Sequence, residues 1–94
     1  MLSKIPADID KVKPENMNKE ILRAAIVAEL DAINLYEQMA EMTDNDEVKR
    51  VLMDVALEEK THVGEFQTLL LREDKQQEEE LKAGEEEVNE ELSK

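Results

Sequence analysis

The chain has no cysteine and no tryptophan, and only one phenylalanine, one tyrosine, two glycines and two prolines. Without thiols there are no disulfides, thiolate metal sites or iron–sulfur clusters, and a thiol-free chain suits the cytoplasm. Few helix breakers, and no long stretch of period-two alternation, leave little room for strands. There is no signal-peptide pattern and no apolar run long enough to span a bilayer, so no membrane partner is expected. Basic residues are also scarce, 12 against 25 acidic ones, for a net charge of −13. Such a surface repels nucleic acid and anionic membranes. Ninety-four residues make a single small domain with a marginal core, which oligomerisation or a bound metal would support.

What the chain does have is Ala, Leu, Glu and Lys in helical periodicity. Leu22, Ile26, Glu29, Ile33, Tyr36 and Ala40 recur at steps of four and three. Val48, Leu52, Val55, Glu59, His62, Phe66 and Leu69 do the same. Both series are heptad seams, the stripe by which a helix packs on its neighbours. The expected architecture is all-α: a two-helix antiparallel hairpin plus a short C-terminal helix, dimerising into a four-helix bundle. The expected segments are an extended arm over 1–14, a first helix over 16–42, a second over 46–82 and a third over 85–92. Asn18 is the expected N-cap of the first helix. Asp44 or Asn45 should cap the second, and Ala83-Gly84 should stop it. Gly64 interrupts the second helix, either for close backbone approach or as a tolerated cost of roughly 1 kcal/mol.

Glu29, Glu59 and His62 stand in seam positions where apolar residues belong. Glu29 lies fifteen residues before Asp44 and Glu59 fifteen after it. At the helical rise both sit about 22 Å from the turn, at one level of the hairpin. His62 follows Glu59 by three residues and shares its face. Glu58 points away by about 100° of helix rotation and is assigned to the flank or solvent. Burying ionised carboxylates costs several kcal/mol each without compensation. A metal is the natural counter-charge.

One hairpin offers too few ligands for two metal ions. Di-iron carboxylate bundles take a Glu from each of two helices and Glu-x-x-His from each of the other two. This chain carries half of that set, and an isologous homodimer would double it. Carboxylate with imidazole and no thiolate suits iron or manganese, with zinc an alternative occupant. Iron(II) would react with oxygen or peroxide, and Tyr36, two turns from Glu29, could border the site. Blander readings exist for each feature. Glu-x-x-His arises by chance in acid-rich helices, Tyr36 suits a core, and the polar seam residues could specify register in a non-enzymatic helical module. A purely structural metal in a homodimer is a third reading.

The segments Ala24-Ala25-Ile26-Val27-Ala28-Glu29-Leu30-Asp31-Ala32-Ile33-Asn34-Leu35-Tyr36-Glu37 and Val55-Ala56-Leu57-Glu58-Glu59-Lys60-Thr61-His62-Val63-Gly64-Glu65-Phe66 resemble the encapsulated ferritins, most closely the archaeal form. The resemblance covers about residues 15–92. It implies two-helix protomers that dimerise to build a di-iron ferroxidase centre and assemble into a ring-shaped decamer. It implies oxidation of iron(II) to iron(III) in the cytoplasm, inside an encapsulin nanocompartment whose shell takes the mineral. On that pattern Glu29, Glu59 and His62 fall on iron ligands and Tyr36 lies beside them. Asp31 is the acidic residue placed for an iron-entry role, since Ala28 offers no ligand. The ending Glu90-Glu91-Leu92-Ser93-Lys94 carries no recognisable shell-targeting peptide.

Overall fold

Helical periodicity becomes three helices in the computed structural model, which describes residues 9–94: α1 (Met17–Met42), α2 (Asp46–Glu73) and α3 (Lys75–Leu92). Short 3-10 turns at Ile9–Lys11 and Pro14–Asn16 precede α1. No strand occurs among the described residues.

Two expectations about the N-terminal region change. The arm is expected to be extended over 1–14, but its described part carries 3-10 turns at Ile9–Lys11 and from Pro14, with Lys13 extended between them, and residues 1–8 lie outside the described residues. Pro14 explains the turn at its end: its ring presets a helical φ at the first position of a helical segment. The chain therefore enters α1 through a turn, with Asn16 at the boundary and Asn18 already inside the helix.

The connection at residues 43–45 is as short as expected, and α1 and α2 pack against each other along their lengths as an antiparallel pair. Asn45 is the cap. Its side-chain oxygen accepts the Val48 N–H at 3.0 Å. Thr43 Oγ1 accepts the Asn45 N–H at 3.1 Å, which fixes the turn. Asp46 and Glu47 then place negative charge at the positive end of α2. A Lys60–Glu37 ion pair at 3.0 Å ties the two helices further along.

The C-terminal part departs most from expectation. The second helix was expected to reach residue 82, with a short third helix over 85–92. Instead α2 ends at Glu73 and α3 runs from Lys75 for 18 residues. Asp74 serves both ends. Its N–H donates to the Leu70 carbonyl at 2.9 Å, closing α2. Its side chain accepts the Gln77 N–H at 3.1 Å, opening α3. Ala83-Gly84 does not stop a helix; it lies inside α3.

Burial is thin. Among the described residues only Ala40, Ala56 and Leu70 are buried apolar side chains. On α2, Ala56 and Leu70 each directly follow a seam position, and the seam residues Leu52, Val55, Glu59, His62 and Phe66 are partly buried beside them. The ends of that seam stay open: Val48 and Leu69 are each 46% exposed. Leu57, Val51 and Leu30 are also at least half exposed. A single hairpin thus uses one apolar face and leaves another uncovered.

Candidate metal centre

Glu29 comes from the middle of α1, Glu59 and His62 from the middle of α2. The equal arms of the hairpin bring them level, and the three-residue spacing turns His62 onto the face of Glu59. His62 Nδ1 lies 3.4 Å from Glu29 Oε2 and 3.4 Å from Glu59 Oε2. One ligand atom from each residue falls within 4.8 Å of the others. Among the described residues this is the group of carboxylate and imidazole side chains able to hold a metal ion together.

Burial sharpens the chemistry. Both glutamate side chains are 18% exposed, whereas His62 is 42% exposed. Glu29 Oε2 is buried and has no hydrogen-bond partner. A carboxylate oxygen out of water and without a donor is expensive, and a cation at that point would satisfy it. Two carboxylates this close also repel. Hard oxygen donors with one borderline nitrogen fit iron(II), manganese or zinc. The donor set therefore fits a metal, and three ligands from one protomer leave coordination positions for others.

Glu58 is exposed and outside the group, in keeping with its place off the seam. Asp31 does not join the three. It follows Glu29 by two residues, which carries it roughly 160° around the α1 axis. Tyr36 is half-buried on α1, about 10 Å along the axis from Glu29. Gly64, two residues after His62 on α2, has nothing within 4 Å of the position a Cβ would take. Close approach within the protomer therefore does not explain it. The residue that sequence reasoning missed is Asp74. An Asp followed three residues later by Gln is a readable helix-start signal.

No helix among the described residues is long and apolar enough to cross a membrane. Antiparallel helices with a Glu on one and Glu-x-x-His on the other define a ferritin-like helical protein. The rubrerythrin profile matches residues 20–93. The chain is 56% identical over 92 residues to a ferritin-like–encapsulin shell fusion protein of Pyrococcus furiosus. That match takes in 96% of this chain and 27% of the fusion protein, so the chain spans about a quarter of that relative's length. It is 45% identical over 56 residues to the encapsulin nanocompartment cargo protein EncC of Myxococcus xanthus, covering 60% of this chain and 43% of EncC. The crystal structure of the encapsulated ferritin domain from Pyrococcus furiosus superposes with a TM-score of 0.81 at 55% identity, covering 96% of this chain and 94% of that one. The chain belongs to the rubrerythrin family, among its encapsulated ferritins.

Proposed function

We propose that the protein is a ferroxidase whose di-iron site forms between two protomers, delivering iron(III) for storage within an encapsulin nanocompartment. The observation that carries this reading is the orphaned Glu29 Oε2, buried beside His62 and converging with Glu59. Iron(II) is the substrate, and each ion supplies one electron to oxygen or peroxide. Two protomers related by a two-fold axis would offer four Glu and two His, whose carboxylates balance two divalent cations. The uncovered apolar face next to the site supports such a dimer, because a chain with so few buried residues gains a core by pairing.

In this reading Glu29 and Glu59 would hold the irons through their carboxylates, and His62 would add a nitrogen ligand. Burial of the two carboxylates keeps them poor partners for water and strong partners for a cation. Tyr36 borders the centre from the same helix and tunes it from outside the ligand set. Asp31, on the far side of α1, belongs to the entry of iron rather than to its final ligands. The ring-shaped decamer and the encapsulin shell as partner rest on family membership and on the names of the two relatives.

The test is iron(II) oxidation followed by oxygen uptake and by absorbance of the ferric product. Glu59→Ala should abolish it and Glu58→Ala should leave it near wild type. Equal loss in both variants would refute the ligand assignment. Iron binding without oxygen uptake would give the metal a structural role, and dimerisation indifferent to chelator would reduce the site to a register device.

A further inference from the structure

The link between α2 and α3 is a single residue, Asp74, and its carboxylate has three jobs. One oxygen accepts the Gln77 N–H at 3.1 Å and so starts α3. The other receives Arg23 Nη2 from α1 at 2.8 Å, across 51 residues of sequence. Lys19, one turn before Arg23 on α1, adds its positive charge toward the same carboxylate. Asp74 is sheltered, with its side chain 13% exposed, while Arg23 is 51% exposed. The Gln77 N–H, ahead of the Arg23 hydrogen bond and the charges of Lys19 and Arg23, holds the Asp74 carboxyl below its ordinary range against the opposing effect of desolvation.

Little else holds α3 to the hairpin. It makes few contacts with α2 and packs along neither hairpin helix. The Cα atoms extend 46 × 46 × 19 Å, as broad as they are long, with a radius of gyration of 16.7 Å. A packed chain of this length would have a radius of about 12 Å. The third helix therefore projects sideways, and its apolar residues Leu81, Val88 and Leu92 are 43%, 55% and 79% exposed. An exposed ion pair contributes little to stability. Within the protomer few other contacts hold α3, so even a modest interaction bears on the direction of this 18-residue helix.

We propose that Arg23 and Asp74 form a latch that fixes the angle of α3 to the α1–α2 hairpin, and that opening it lets α3 swing about residue 74 without unfolding. The latch is electrostatic and half in solvent, so salt weakens it, since screening shortens from about 10 Å at 0.1 M to about 3 Å at 1 M. The helix itself survives opening, because the Gln77 cap needs only a side-chain acceptor at position 74. Whatever α3 contacts in an assembly would then depend on a residue at the other end of the chain.

The absence of cysteine makes the test direct. Asn34→Cys on α1 and Glu86→Cys on α3, both exposed, carry spin labels. The labelled full chain is diluted into unlabelled chain so that only distances within a protomer are read by pulsed electron resonance. The expected result is one narrow distance distribution in the parent chain, broadened by Arg23→Gln and by Asp74→Asn. Asparagine keeps the cap, so circular dichroism should show unchanged helix content. High salt should broaden the parent distribution and add nothing to either variant. Arg23→Gln leaves the cap untouched, and so reads the latch even if Asp74→Asn were to lose helix. Unchanged distributions in Arg23→Gln, or a parent distribution as broad as the variants', would overturn the proposal.

Discussion

Replacing Glu59 by Gln should change stability in opposite directions with and without metal. The ligand atoms of Glu29, Glu59 and His62 lie within 4.8 Å of one another. Two unit charges at that separation repel by about 3.5 kcal/mol at an effective dielectric of 20. Both side chains keep 18% exposure and His62 stands between them, so solvent and the imidazole screen much of this. A net relief of about 1 kcal/mol is a fair expectation once that screening is applied. For a domain of this size it corresponds to a rise of roughly 4–8 °C in the melting temperature. With iron(II) or zinc present the sign reverses. Losing groups that merely orient a ligand already weakens metal binding by about 10–100-fold. Losing the ligand itself should cost at least about 100-fold, and with it about 2.7 kcal/mol of metal-linked stabilisation. The assay is thermal unfolding at one protomer concentration, in mildly alkaline buffer, with chelator and then with metal. Glu59→Gln should melt above wild type in chelator and below it in metal, while Glu58→Gln should follow wild type in both. A variant that melts below wild type in chelator would refute the claim that the two carboxylates are strained without a cation.

Other outcomes follow from the same structure. Dilution in chelator should dissociate the protein at concentrations where the metal-loaded form stays associated, read as a shift to slower sedimentation; identical profiles would separate assembly from metal. Asn45→Ala removes the acceptor of the Val48 N–H and should cost about 1 kcal/mol, with iron oxidation per protomer unchanged. The Asp74 carboxyl is held below its ordinary value of 3.8, so the unfolded chain takes up the proton first on acidification. Its contribution is therefore complete above the ordinary value and is lost as pH falls through the lower folded value. The acid-unfolding curve of Asp74→Asn should lack that component, and coincident losses of stability for both proteins would contradict it.

The site was more legible than the end of the fold, for a physical reason. Glu29, Glu59 and His62 sit on continuous helices joined by a short turn, so counting residues from Asp44 places them. Periodicity carries rotation and rise together, and both are fixed within a helix. The break at Asp74 is different. It falls among good helix formers, Arg72-Glu73 and Lys75-Gln76-Gln77, and its local signal is one capping pair. The rest of its stabilisation comes from Arg23, 51 residues away, which no local pattern reveals. Gly84 misled in the converse way. Glycine often follows a helix end, yet it is accepted inside α3 with open space around its Cα. The middle of the α2 seam is partly buried as its periodicity implies, but a repeat alone does not tell that its ends, Val48 and Leu69, stay open.

Anomalous scattering at the iron edge, from crystals grown with iron(II), tests the central claim most directly. Iron is expected between the Glu29, Glu59 and His62 side chains of one protomer and the same three residues of a second, with two ions per pair of chains. Iron bound elsewhere, or these three side chains facing bulk solvent in the assembled protein, would contradict it.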